Sequence, residues 1–131
     1  MIAPGGVIAA GNLLAPLADA TAAERVRILL AVGGARIEQI VSAGQASPEG
    51  FWYDQADTEL VVLLAGGAGL EILGEAAPRV LTPGDYLILP ARCRHRVTWT
   101  SRDPPAVWLA VHTMRESAHE TAADTPAAQR G

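Results

Sequence analysis

Glu59 stands in an otherwise aliphatic run, Leu60 to Leu64 following it without another charge. Burying a carboxylate there without a partner is strongly unfavourable, so the residue calls for an arginine, an imidazole or a cation beside it. His95 is one candidate. Along its strand Cys93, His95 and Val97 alternate with Arg92, Arg94 and Arg96, which puts His95 on an inward face and the guanidinium groups on a solvated one. Cys93 shares the His95 face, where it lines a pocket or packs as a small hydrophobe. Phe51-Trp52-Tyr53 is a dense aromatic cluster in a chain with only six aromatic residues. Such rings floor a ligand pocket or plug a barrel mouth, and Trp99 and Trp108 would extend the same wall. Tyr53 and Tyr86 add phenols able to orient or protonate a substrate. His112 is compatible with a hydrogen-bonded core position or with an inward-facing ligand. No Ser/His/Asp or Cys/His/Asn set has supporting context, which sets hydrolase triads aside.

These groups need a scaffold, and the chain has 131 residues to build one, enough for a single domain. Apolar residues make up 50%, so with so few aromatics the core must be aliphatic. All basic residues are arginine, and the net charge of −4 argues against a general binder of nucleic acid or anionic membrane. One cysteine allows no intrachain disulfide and suits a reducing cytoplasm. Residues 1 to 20 are apolar but lack a basic start and are interrupted by Pro4, Gly5, Gly6, Asn12 and Pro16. They read as an irregular arm rather than a cleaved signal.

Thr21-Ala-Ala-Glu24 has capping-box spacing, and Val26, Leu29 and Leu30 follow at helical intervals before Gly33-Gly34. The pattern predicts one short helix over residues 22 to 32, within an arm-and-helix segment spanning 1 to 34. No second helical segment is present to build a helix-turn-helix. From residue 35 to 114 the punctuation is that of an all-β barrel. Strands are expected over 35 to 42, 58 to 64, 69 to 73, 86 to 89, 94 to 100 and 106 to 112, with 58 to 64 buried on both faces. Gly66-Gly67 marks a turn, and Thr82-Pro83-Gly84-Asp85 suits a type II turn. Residues 115 to 131 are read as a disordered tail.

Two segments then stand out together. Glu59 is followed after six residues by Gly66; Gly84 is followed after five by Pro90, and His95 lies five beyond it. Over about residues 36 to 112 this resembles the cupin superfamily, and it implies a jelly-roll β-barrel (a double-stranded β-helix). Glu59 matches the acid of the family's first motif, and His95 the histidine of its second. Arg92 sits where the family often has Gly, and Trp99 where it often has Asn. The two histidines of the first motif are replaced, by Tyr53 and Gln55 in one register or Trp52 and Asp54 in the other.

The resemblance implies a divalent transition metal, Fe, Mn, Ni or Zn, held in the barrel by Glu59 and His95. Gln55 falls on the face of Glu59 as a neutral oxygen ligand. Asp54 would need a bulge to turn inward, and His112 would replace a missing imidazole. On this reading the protein is a metalloenzyme of oxygenase, isomerase or decarboxylase type, acting on a small organic molecule that Tyr53 positions. The alternative is a metal-free cupin that binds a small ligand as a sensor or auxiliary protein. A metal-free epimerase, with His95 and Glu59 as an acid/base pair, is a third. The apolar arm predicts a homodimer.

Overall fold

The computed structural model describes residues 6–15 and 23–113. Within them the chain forms eight strands: β1 (Arg25–Val32), β2 (Ala35–Ser42), β3 (Thr58–Ala65), β4 (Ala68–Ile72), β5 (Arg79–Leu81), β6 (Tyr86–Leu89), β7 (His95–Thr100) and β8 (Ala106–Thr113). They make a five-stranded antiparallel sheet in the order β1-β2-β8-β3-β6 and a three-stranded one in the order β5-β4-β7. The two face each other as the halves of a jelly-roll barrel. The all-β reading and the expected strands hold, each within two residues at its ends; β5 is an addition.

The segment expected to be helical is a strand. Arg25-Val26-Arg27-Ile28 alternates with period two, and a bulge between Ile28 and Leu30 shifts the phase. That shift is what gives Val26, Leu29 and Leu30 their helical look. Gly33-Gly34 is not a helix stop but a two-residue hairpin loop, with Val32 opposite Ala35 and Gly33 at φ 59°. Glu24, expected in a capping box, instead accepts a hydrogen bond from the Ser42 hydroxyl at 2.8 Å. The sheet therefore begins at residue 25 rather than 35. Part of the arm and the whole of the 115 to 131 tail lie outside the described residues.

Strand β3 alternates instead of being buried on both faces: Glu59, Val61 and Leu63 are buried, while Leu60, Val62 and Leu64 are only partly covered. Val61 and Leu63 join Ala68, Leu70, Leu81, Leu89, Ala106 and Trp108 in the core between the sheets. Behind the large sheet, Val41, Ala43 and Val107 form a second cluster. The type II turn forms as expected: Gly84 has φ 97°, and the Asp85 N–H donates to the Thr82 carbonyl at 2.9 Å.

Candidate active site

Where the aliphatic core stops, a cavity of about 240 Å³ opens between the sheets. Three strands of the large sheet supply its polar side: Arg36 and Glu38 from β2, Glu59 from β3 and His112 from β8. Leu70 of β4, with His95 and Val97 of β7, faces them from the small sheet. Gln55 and Tyr53 come from the segment leading into β3, and Glu24 from just before β1.

Glu59 and His112 are register partners across the β3–β8 ladder, which is why their side chains meet. His112 is only 6% exposed. Its Nε2 lies 3.8 Å from Glu59 Oε2 and 3.5 Å from Glu38 Oε1, and its Nδ1 lies 3.4 Å from Asp57 Oδ2. Three carboxylates thus surround one buried imidazole. The other oxygen of Glu59 accepts a hydrogen bond from Gln55 Nε2 at 3.2 Å and faces His95 Nε2 at 3.9 Å. Burial pushes the Glu59 carboxyl above the usual carboxylate range, against the opposing pull of His112, His95 and the Gln55 hydrogen bond.

His95 is fixed from two sides. Its backbone pairs with that of Tyr53 by two hydrogen bonds, of 2.8 and 3.2 Å, and the two rings stack with centroids 5.2 Å apart. Its Nδ1 lies 2.9 Å from the Cys93 carbonyl. A carbonyl only accepts, so Nδ1 carries the hydrogen in this bond and Nε2 is the atom left for chemistry. The Tyr53 hydroxyl is pushed above its ordinary value by burial first, then by the charges of Glu24 and Glu59.

The structure thus brings Tyr53, Gln55, Glu59, His95, His112 and Trp108 to one cavity. The other candidates lie elsewhere. Asp54 turns outward, between the two cavity-facing residues that flank it, and pairs with Arg92 and Arg94 at 3.3 and 3.4 Å; no bulge turns it in. Trp52 packs under the Arg96 guanidinium, 5.9 Å from its ring centroid. Tyr86 is 62% exposed on an edge strand, and Trp99 also lies on the exposed face of its strand. Cys93 packs against the core rather than the cavity, and burial raises its thiol pKa, with Glu75 adding to the shift. Glu24, Arg36, Glu38 and Asp57 escape a reading of the sequence alone. Arg36 and Glu38 alternate with Ile37 and Gln39, as residues of a solvated face would.

A divalent metal fits this arrangement poorly. The two imidazoles approach different oxygens of Glu59, His95 Nε2 at 3.9 Å from Oε1 and His112 Nε2 at 3.8 Å from Oε2. Among the described residues, no group of three or more His, Cys, Asp and Glu side chains is placed to hold a metal ion.

A jelly-roll barrel with a polar cluster at one end of its interior defines a class, and the sequence match agrees with it. The cupin-domain family model matches residues 37–112, and the chain belongs to the cupin family. A solved structure from Ralstonia eutropha JMP134, described as a "putative mannose-6-phosphate isomerase", is 49% identical, with a TM-score of 0.78 over 82% of this chain and 100% of that one. A cupin superfamily protein from Desulfitobacterium hafniense DCB-2 shares the fold at 17% identity and a TM-score of 0.61, covering 72% of this chain and 81% of its own. KdgF from a Halomonas species does so at 17% and 0.59, covering 71% and 82%. No curated protein matches the sequence.

Proposed function

We propose that this cupin binds a small organic molecule in its barrel and moves a proton on it, as an isomerase does, with Glu59 as the acid/base group. The observation that carries the proposal is the buried Glu59 carboxyl, flanked by two imidazoles at the polar end of a ligand-sized cavity. Burial makes its carboxylate a stronger base than a solvated one. Deprotonated Glu59 takes a proton from a carbon next to a carbonyl, and the electron pair passes to the carbonyl oxygen. A proton then passes from the hydroxyl on that first carbon to the former carbonyl oxygen, and the same carboxyl returns its proton to the former carbonyl carbon, so that carbonyl and hydroxyl exchange places. With its Nδ1 hydrogen donated to the Cys93 carbonyl, His95 Nε2 accepts that hydroxyl proton and hands it to the other oxygen, and Tyr53 orients the substrate against the apolar wall. The name of the Ralstonia relative, 49% identical, supports the isomerase class. No step is routed through a metal, since no group of three or more His, Cys, Asp and Glu side chains among the described residues is placed to hold one.

The test is proton exchange in deuterated water on a panel of small hydroxy-carbonyl compounds, followed by NMR. Wild-type protein should exchange the carbon-bound proton of at least one member, and Glu59→Gln should lose that exchange while keeping the fold. Ligands that bind without exchange would instead support the sensor or auxiliary reading.

A further inference from the structure

The charges around the cavity are unequal. Glu24, Glu38 and Glu59 line it, and Asp57 stands behind His112. Against these carboxylates are Arg36 and at most the two imidazoles. The Arg36 guanidinium is already engaged, donating to Glu38 at 2.8 Å. His112 spends any charge it carries on the three carboxylates around it, and its Nδ1 has no hydrogen-bond partner among the described residues. Counted as side chains, four carboxyls stand against one guanidinium and two imidazoles. The remaining wall is apolar, with Ile40, Val61, Leu70, Leu89 and Val97 beside the rings of Tyr53 and Trp108.

A phosphate ester needs a different site. Phosphate is held by arginine or lysine forks or by the N-terminus of a helix. The chain has no lysine, the described residues contain no helix, and Arg92, Arg94 and Arg96 lie off the cavity. Carboxylates joined by aromatic faces instead recognise positive charge.

We infer that the cavity takes a small organic cation, an amine on an apolar body, and rejects phosphate esters. The inference names the substrate class of the site proposed above and rests on that reading. It also separates this chain from the substrate in the name of its Ralstonia relative.

The probes are cyclohexylamine, cyclohexanol, cyclohexanecarboxylate and mannose 6-phosphate, titrated calorimetrically into the full chain at low salt near neutral pH. The first three share one apolar body and differ in charge. Cyclohexylammonium should bind roughly tenfold or more tightly than cyclohexanol, and both anions more weakly than the alcohol. Glu38→Gln should reduce the preference for the amine. Glu24→Gln, which keeps an oxygen to accept the Ser42 hydroxyl, should do the same to a smaller degree. An amine that binds no better than the alcohol, or not at all, overturns the inference, as does tighter binding of mannose 6-phosphate. Such a result with Glu59-dependent proton exchange intact rejects only the cation class. Amine binding with no exchange on any compound rejects only the proton-transfer reading.

Discussion

Glu59 and His112 face each other as register partners on neighbouring strands, with Oε2 and Nε2 3.8 Å apart. The ladder alone sets this pairing, since the two residues lie far apart in sequence. It gives the buried carboxyl an imidazole partner and joins the proposed acid/base group to Glu38 and Asp57 through that ring.

Replacing Glu59 by Gln should lower any proton-transfer rate by about 10²- to 10⁴-fold. It should also change how stability depends on pH. Burial raises the Glu59 pKa in the folded state above its ordinary value of 4.5. The folded protein therefore holds this proton more tightly than the unfolded chain. The resulting stability is fully present below the ordinary carboxylate range and is lost as pH rises through the raised value. Thermal melts should show wild type losing stability relative to Glu59→Gln across that window, and a constant difference between the two would reject the assignment.

His112→Leu leaves Glu38, Asp57 and Glu59 around an apolar side chain. Removing one partner from a buried charge cluster costs about 3–5 kcal/mol, and urea unfolding at neutral pH should read a loss of that order. The loss should shrink in mild acid, where the Glu59 carboxyl, raised by burial, takes up its proton. The same loss at both pH values would show that packing, not charge, is what His112 contributes.

Gly66→Ala should be severe for so small a change. Gly66 has φ 77°, and a Cβ there would meet the backbone carbonyl of Pro105 and stand 2.6 Å from Ser101 Oγ. Backbone cannot swing aside as a side chain can. Left-handed strain plus the clash should cost at least about 2 kcal/mol in denaturant unfolding; a change within error would mean that the turn has another accessible shape.

Arg92→Gly should behave in the opposite way. Arg92 holds φ 66°, a conformation that costs a residue with a side chain roughly 1–2 kcal/mol. The exposed contact it makes with Asp54 returns little. The variant should be as stable as wild type or more stable by up to about 1 kcal/mol, measured by the same unfolding curves.

The homodimer expected from the apolar arm has a further support in β1, an edge strand that exposes Val26, Ile28 and Val32 by more than half. A strand with an open edge and apolar side chains pairs readily with a second copy of itself. Sedimentation equilibrium should give the mass of two 13.7 kDa chains. Ile28→Glu should shift the mass toward one chain, and an unchanged distribution would place the contact elsewhere.

The barrel itself was legible in the order of residues. Turn chemistry at Thr82-Pro83-Gly84-Asp85 and branched aliphatic runs such as Val61 to Leu64 are local signals, as is the Glu59-to-Gly66 and Gly84-to-His95 spacing, and local signals survive without tertiary context. Segment 25 to 32 looks helical in sequence because one bulge converts a two-residue period into an apparent helical one. Of the site, Glu59, His95, Gln55 and Tyr53 could be named in advance, since an acid in an aliphatic strand and an imidazole on an inward face are unusual enough to notice. Glu38, Asp57, Arg36 and Glu24 could not. Their strand and loops look solvated in sequence; the pairing of β2 with β8 and of β8 with β3 brings Arg36, Glu38 and Asp57 to His112, and Glu24 reaches the cavity from just before β1. The direction of Asp54 was also a tertiary decision: Arg92 and Arg94 hold it outside while its neighbours face in. Sequence determines which side chains have chemistry, but strand register decides which of them meet, because contact across a ladder depends on alignment rather than distance along the chain.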